Sequence, residues 1–176
     1  VAYNDDYRFN PDAHLFFKPP ANGEYTLTVS DSIFRGREDF VYRLTIAPCP
    51  FITSWFPLGV RAGTKTAFAL SGYNLDGHDL LVEPLPGPDR FRRLALPGNN
   101  PADAAIRYHV DTLPEILATD AAHAPHTAQP VKVGCMINGR LDQPGAAAFF
   151  RFSAAAGETI VAEVYARRLD SPLDSM

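Results

Sequence analysis

The chain has 176 residues, with 16 Lys plus Arg against 20 Asp plus Glu and a net charge of −4. Its hydrophobic fraction of 46% and charged fraction of 20% are typical of a folded chain and exclude disorder. The acidic balance excludes a long-range attraction to nucleic acid, and no apolar run approaches the ~20 residues of a membrane-spanning helix. The 16 Pro and 12 Gly are spread along the chain and would interrupt helices. We therefore expect an all-β protein without nucleic acid partners or membrane insertion.

The first segment, residues 1–47, alternates between apolar and polar side chains in two stretches. Tyr25, Leu27 and Val29 share one face of residues 24–30, and residues 40–46 repeat the pattern after a polar loop. A period of two is typical of a strand with one face in a core and one in water. These stretches predict an antiparallel hairpin.

A stiff joint follows at Pro48-Cys49-Pro50, and the composition changes there. Residues 48–113 contain short strand candidates separated by Pro- and Gly-rich turns. Residues 114–129 are rich in Ala, His and Pro and resemble a linker with one helical turn. Alternation resumes in residues 130–176 and stops within what should be another strand. Because the chain also starts at Val1 without an initiator Met or a signal peptide, we expect it to be a piece of a longer protein.

Three groups of motifs carry family resemblances. Residues 137–159 resemble the first half of the bacterial pre-peptidase C-terminal domain, as found in large exported proteins of planctomycete-type bacteria; the motifs are Ile137-Asn138-Gly139-Arg140, Gln143-Pro144-Gly145 and Phe149-Phe150-Arg151-Phe152. The start of the chain resembles the second half of the same domain, through Asn4-Asp5-Asp6, Glu24-Tyr25-Thr26-Leu27-Thr28-Val29 and Asp39-Phe40-Val41-Tyr42-Arg43-Leu44. The middle resembles an immunoglobulin-like module of the IPT/TIG type, through Phe68-Ala69-Leu70-Ser71-Gly72-Tyr73-Asn74-Leu75.

The resemblance implies a particular organisation of two β-sandwiches. Half a sandwich leaves an apolar face and open strand edges that are unstable in water. We therefore expect residues 1–47 to pair with residues 130–176 in a jelly-roll-like composite sandwich, within one molecule or by exchange in a domain-swapped dimer. Residues 48–113 would form a separate immunoglobulin-like sandwich, and residues 114–129 a linker.

The composite sandwich would bring acidic residues from the two ends of the chain to one loop region. Clustered carboxylates with an Asn carbonyl suit Ca²⁺, and the resembled family often carries structural calcium. The alternative is that these side chains only form turns and cap strand ends. The candidate calcium ligands are Asn4, Asp5, Asp6, Asp12, Asp170 and Asp174.

Two further pairs are candidates for structural roles. Cys49 and Cys135 lack the spacing of a zinc or redox motif. They form either one disulfide, if the protein is exported, or two buried thiols. Trp55 and Phe56 follow the proline joint and are expected to fill the interface between domains rather than to form a sugar-binding platform.

The motifs for catalysis are missing from the sequence. No Gly-x-Ser-x-Gly turn occurs, and His123 and His126 lack a third metal ligand beside them. We therefore expect a non-catalytic, extracellular or cell-surface module that acts as a spacer, adhesion or protein-interaction unit. Its partners would be other domains of the same large protein. Two alternatives remain open: a module that binds carbohydrate or matrix protein, and an accessory region of a secreted peptidase.

Overall fold

The structure is a computed structural model that describes residues 2–8, 10–75, 80–96, 105–120 and 122–175. The chain divides into two compact units, Val1–Pro48 and Cys49–Met176. The boundary lies within the predicted joint Pro48-Cys49-Pro50. The terminal residues Val1 and Met176 of the predicted domains lie outside the described residues.

The second unit consists of short strands. They are β1 (Phe51–Phe56), β2 (Gly59–Arg61), β3 (Thr66–Tyr73), β4 (Leu80–Val82), β5 (Phe91–Leu94), β6 (Ile106–Asp111), β7 (Glu115–Leu117), β8 (Gln129–Pro130), β9 (Met136–Asn138) and β10 (Phe150–Arg151). Within the described residues, 3₁₀ turns occur at Pro125–Thr127 and Arg167–Leu169. No α-helix occurs in the described part of the chain. The prediction of an all-β protein is confirmed.

Two three-stranded sheets and two strand pairs make up this unit. The first sheet has the antiparallel order β1-β3-β4, with an irregularity in β1 between Ile52 and Ser54. The second sheet has the order β2-β6-β5, in which β2 runs parallel to β6 and β5 antiparallel to it. The pairs β7-β9 and β8-β10 are both parallel. Because parallel neighbours need long connections, these contacts join segments that are distant in sequence.

The core of the second unit draws its side chains from both three-stranded sheets. Along β3, the more buried residues alternate with exposed ones up to Leu70, whereas in β1 the adjacent Phe51 and Ile52 are both buried, beside the irregularity in that strand. The Trp55 indole nitrogen donates to the Arg107 carbonyl of β6 over 2.9 Å, which satisfies the polar atom of a buried ring. The buried cluster is Ile52, Trp55, Val60, Phe68, Leu96, Ile106, Tyr108 and Val110.

The segment predicted as a linker, residues 114–129, contains ordered structure. It includes β7, the first 3₁₀ turn and the start of β8. The Gln129 side chain accepts from the Thr119 amide over 2.8 Å and donates to the Leu117 carbonyl over 3.0 Å, so it holds the segment together. β7 and β8 pair with strands from residues 130–176.

The first unit does not form the predicted hairpin. Among residues 2–8 and 10–48, the only backbone pairing of the β type is the isolated bridge between Tyr7 and Asn10. Aromatic contacts supply part of its packing, including Tyr7 with His14 and Phe17 with Tyr25. The alternation in the sequence predicts which side chains share a face of an extended segment. It does not determine which other segment pairs with that backbone.

Many apolar side chains of the first unit remain exposed. They come from the stretches that alternate in sequence and from the loop between them: Leu15, Phe17, Tyr25, Leu27, Val29, Ile33, Phe34, Val41, Tyr42, Leu44 and Ile46. Such a surface is unusual for a unit that functions alone in water.

The buried cluster should dominate the stability of the second unit. Ile106 is fully buried, whereas Leu81 on β4 is 54% exposed. We expect Ile106→Ala to lower the free energy of unfolding by about 3 kcal/mol, because it removes buried methyl groups and leaves a cavity. Leu81→Ala should change it by less than ~1 kcal/mol. Urea unfolding followed by the fluorescence of Trp55, the only Trp, measures both, and equal losses would contradict this account of the core.

Candidate functional site

The predicted calcium ligands are distributed over both units. In the first unit, the Asn4 side-chain amide donates to the His14 carbonyl. In the second unit, Asp170 pairs with Arg107 over 3.2 Å and Asp174 with Arg167 over 3.3 Å. Among the described residues, no group of three or more His, Cys, Asp and Glu is placed to hold a metal ion. The calcium site involving Asn4, Asp5, Asp6, Asp12, Asp170 and Asp174 stays a prediction from the sequence.

The structure assigns separate positions to the other predicted residues. Cys49 and Cys135 are free, half-buried thiols, so the disulfide is not formed in this structure. Trp55 belongs to the core of the second unit. Phe56 is half-buried, and the guanidinium of Arg140 lies 4.3 Å from its ring centroid. This cation–π contact joins β1 to the residues after β9.

A buried amide at the end of β9 connects three strands. The Asn138 side chain is 92% buried, with 8% relative exposure. Its oxygen accepts from the backbone N–H groups of Leu58 and Gly59 over 3.1 and 2.9 Å. Its nitrogen donates to the Gly59 carbonyl over 3.2 Å and to a Glu115 carboxylate oxygen over 2.6 Å. Both lone pairs and both protons of the amide are therefore used.

Glu115 places an ionisable carboxyl in this partly buried arrangement, where its charged form is unfavourable. Burial raises the pKa of its carboxyl, and the Asn138 amide opposes that rise only in part. One carboxylate oxygen is buried and has no hydrogen-bond partner among the described residues. Because the pKa of Glu115 is raised in the folded chain, folding favours its protonated form. This contribution to stability is fully present below the ordinary pKa of Glu and is lost as the pH rises through the raised pKa.

Gly59 is the residue around which these groups approach each other. A Cβ at this position would lie 3.7 Å from both the Asn138 side-chain oxygen and the unpartnered Glu115 oxygen, and 3.5 Å from the His109 carbonyl. These distances are ordinary contacts, so the space accommodates a methyl group but nothing much larger. The carboxylate is confined by backbone and not by a ligand cavity.

The second cluster surrounds His109 on β6. His109 is 2% exposed, and neither ring nitrogen has a hydrogen-bond partner among the described residues. Its ring stacks on Tyr165 with centroids 4.8 Å apart and an angle of 16°, and meets Phe91 of β5 edge-on at 5.1 Å. Arg168 lies over the Tyr165 ring at 4.4 Å. We call these four residues the His109 cluster.

Charged groups in and around the His109 cluster are already paired. Arg168 contacts Glu163 over 2.6 Å, and the Tyr165 hydroxyl donates to the same carboxylate over 2.8 Å. Burial lowers the pKa of His109 most, and the nearby guanidinium groups of Arg90 and Arg168 lower it further. His109 is therefore held as a neutral imidazole at neutral pH.

The exposed aromatics in the His109 cluster do not form a flat platform. Phe91 and Tyr165 have centroids 5.6 Å apart, but their planes are inclined at 74°. A pyranose ring stacks on coplanar or stepped faces. The His109 cluster is better suited to packing a segment of the chain than to binding a sugar.

The loop of residues 31–40 holds an exposed aromatic in a strained backbone conformation. Phe34 is 85% exposed and has φ of 57°. Its amide donates to the Asp31 carbonyl over 3.0 Å, and the Arg35 amide donates to the Asp31 carboxylate over 2.9 Å. The Arg35 bond lowers the pKa of the Asp31 carboxyl, and the two bonds together keep the turn closed. A bulky residue at positive φ is a rare and costly choice, and such positions concentrate at functional sites.

Sequence reasoning identified these residues only in part. Asn138 stands in a motif that carried the family resemblance, but the sequence does not show that it bonds to a strand some 80 residues earlier. Along β6, His109 shares the polar positions of the alternation with Arg107 and Asp111, so the pattern gave no signal that it is buried. Phe34 lies in the loop between two alternating stretches, and no pattern predicted its positive φ.

Comparisons with protein-family models, curated proteins and solved structures find no match for this chain. Within the described ranges, no helix is long and apolar enough to cross a membrane.

The Asn138 amide should be essential to the second unit. Asn138→Ala leaves two backbone N–H groups and the Glu115 carboxylate without their partner, so we expect a loss of about 3 kcal/mol in the free energy of unfolding. Asn138→Asp should lower the free energy of unfolding further near neutral pH, because two carboxylates then face each other. Part of this loss should be recovered as the pH falls and one carboxylate takes up a proton. Asn22→Ala, on an exposed turn of the first unit, is the matched control. Chemical unfolding at two pH values measures all three, and a loss for Asn138→Ala no larger than the control would contradict the role of this amide.

Proposed function

We propose that the chain is a non-catalytic β-sandwich module of an exported protein and acts as a spacer, adhesion or protein-interaction unit. The observation that supports this most is the apolar surface of the first unit. Its side chains include Ile33, Phe34, Val41, Tyr42 and Ile46, all of which are more than half exposed. Many exposed apolar side chains on one unit are typical of a protein–protein contact.

The turn that carries Phe34 supports an interaction role in a second way. Large aromatic residues held rigidly before binding contribute strongly to interfaces, because little side-chain entropy is lost on contact. The Asp31 bonds fix the turn, and the guanidinium groups of Arg35 and Arg37 lie 5.5 and 4.7 Å from the Phe40 ring at its base. Phe34 is therefore presented on an ordered loop.

The organisation that we propose comes from the family resemblance. Residues 1–47 and 130–176 would be complementary halves of one sandwich, completed within a molecule or by exchange between two molecules. The other partners would be neighbouring domains of the same exported protein. Calcium binding at Asn4, Asp5, Asp6, Asp12, Asp170 and Asp174 belongs to the same proposal, and a thermal melt that is unchanged by chelator would remove it.

A carbohydrate-binding module is the second candidate. The observation in its favour is that several aromatics of the first unit, including Tyr3, Phe34 and Tyr42, are largely exposed. Aromatic faces in water are where pyranose rings stack. A glycan array separates the candidates, because specific hits that are lost on Tyr42→Ala would favour carbohydrate over protein contact.

We expect the purified chain to self-associate through the apolar surface of the first unit. Val41→Ser with Ile46→Ser should weaken association by at least about tenfold, because each exposed aliphatic side chain contributes roughly 1 kcal/mol when it is buried at a contact. Phe34→Asn should weaken it too while leaving stability unchanged or slightly higher, since Asn tolerates positive φ better than Phe. Sedimentation velocity over a concentration series measures association, and thermal melts measure stability.

The matched control is Leu85→Ser, which removes a 75% exposed aliphatic side chain from residues 48–113, outside both proposed halves. It should leave association unchanged. A chain that stays monomeric at every concentration and does not bind a hydrophobic dye would argue against the interaction role. A loss of stability in Phe34→Asn would show that Phe34 packs the fold.

A further inference from the structure

Residues 163–170, which we call the C-terminal latch, lie against β6 through a few side chains. Tyr165 stacks on His109, and Asp170 pairs with Arg107 over 3.2 Å. Leu169, in the 3₁₀ turn, is buried to 1% exposure. These contacts fix the C-terminal latch at the surface of the second sheet.

The 3₁₀ turn of the C-terminal latch makes its backbone hydrogen bonds within itself. The amides of Leu169 and Ser171 donate to the Ala166 carbonyl over 2.8 and 3.1 Å, and the Asp170 amide donates to the Arg167 carbonyl over 3.1 Å. None of these bonds attaches the segment to the sheets, and a single turn that has lost its packing opens readily in water. Its attachment therefore depends on side chains, so its opening can be separate from unfolding of the sheets.

We propose that His109 makes this attachment acid-sensitive: the C-terminal latch is docked on β5 and β6 while His109 is neutral and is released when His109 takes up a proton. The neutral ring packs as an aromatic body between Tyr165 and Phe91. A protonated ring carries a charge and two N–H donors. In the docked state these have no acceptor within the described residues, so water must reach the ring.

Every charged group that faces His109 is consistent with this behaviour. On β6, Asp111 is paired with Arg90 over 3.2 Å, and in the C-terminal latch Glu163 is paired with Arg168. The two carboxylates favour a proton on His109, but each already neutralises a guanidinium that opposes it. From β2, the residue opposite His109 is Gly59, which contributes backbone only. The effects of the carboxylates and the guanidinium groups on the pKa of His109 largely cancel, so burial determines that this pKa is lowered.

The other titrating groups do not produce the same effect. Their hydrogen bonds and ion pairs lower the pKa of Asp111 and Glu163, so both stay ionised through the range in which His109 titrates. The pKa of Tyr165 is raised, chiefly by its bond to Glu163, so its hydroxyl stays protonated. The titration of Glu115, which lies on the other side of Gly59, has the opposite effect on stability. Its raised pKa makes the folded state more favourable as the pH falls.

The direction and range of the pH effect follow from the lowered pKa of His109. The stability contributed by docking is present above the ordinary pKa of His, about 6.5, and is lost as the pH falls through the lower value of the docked state. Because one proton is involved, the docking equilibrium should change by up to about tenfold for each pH unit between those two values. The inference does not depend on the proposed interaction function.

Hydrogen exchange of the whole chain, measured by mass spectrometry and corrected for intrinsic rates, tests the proposal. Peptides covering residues 163–170 should lose protection on going from about pH 7.5 to about pH 5, while peptides of β1 and β3 keep theirs. His109→Phe keeps an aromatic ring but does not titrate, so the loss should disappear. His123→Phe replaces an exposed His and should behave like the unchanged chain.

Two results would overturn the proposal. One is constant protection of residues 163–170 across the pH range in the unchanged chain. The other is an equal loss of protection in His109→Phe. If His109→Phe does not fold, as judged by Trp55 fluorescence, NMR titration of the His109 ring protons in the unchanged chain decides: the midpoint must coincide with the loss of protection, and a separate midpoint refutes the coupling.

Discussion

The second unit depends on one side-chain amide. Asn138 uses all four of its hydrogen-bonding positions on the turn before β2, the Gly59 carbonyl and Glu115. Backbone groups at a buried turn need partners, and here the partner comes from the far end of the chain. The hydrogen bond from the Leu58 amide to Asn138 closes a loop of some 80 residues. Closing this loop costs conformational entropy, which the packing of β2 against its neighbours must offset.

The parallel strand pairs follow from this constraint. Once Asn138 is placed beside β2, β9 lies next to β7, and the Glu115 side chain meets the amide. Glu115 is the unfavourable part of the arrangement, because one of its oxygens is buried without a partner. An acid is tolerated there since its other oxygen holds Asn138 in position. The second unit thus combines a conventional apolar core with a polar connection that is costly to break.

The sequence predicted those features that depend on local chemistry. Alternation and frequent Pro and Gly predicted an all-β chain, and the described residues are organised in strands. The hairpin in the first unit was wrong, because alternation does not choose a backbone partner. The environment of His109 and the bonds of Asn138 were not predictable, since both arise from segments that are distant in sequence and meet only in the folded chain.

The two units use their apolar residues in opposite ways. In the second unit, β1, β3 and β6 bury theirs in a shared cluster. In the first unit, the same kind of alternation leaves its apolar side chains exposed. This contrast is the reason that we propose an interaction role, because exposed apolar surface is stabilised when another protein covers it. The His109 cluster adds a contact whose strength depends on protonation.

The Asn138 amide should couple β2 and β6 to β7 and β9, so that these four strands unfold as one cooperative body. Native-state hydrogen exchange at increasing denaturant tests it most directly. The His109 amide, which donates to Leu58, reports on β2 and β6, and the Met136 amide, which donates to Pro114, reports on β7 and β9. We expect both amides to exchange through the same opening, with equal free energies and equal denaturant dependence. Exchange of Met136 through a separate, lower-energy opening that leaves His109 protected would contradict it.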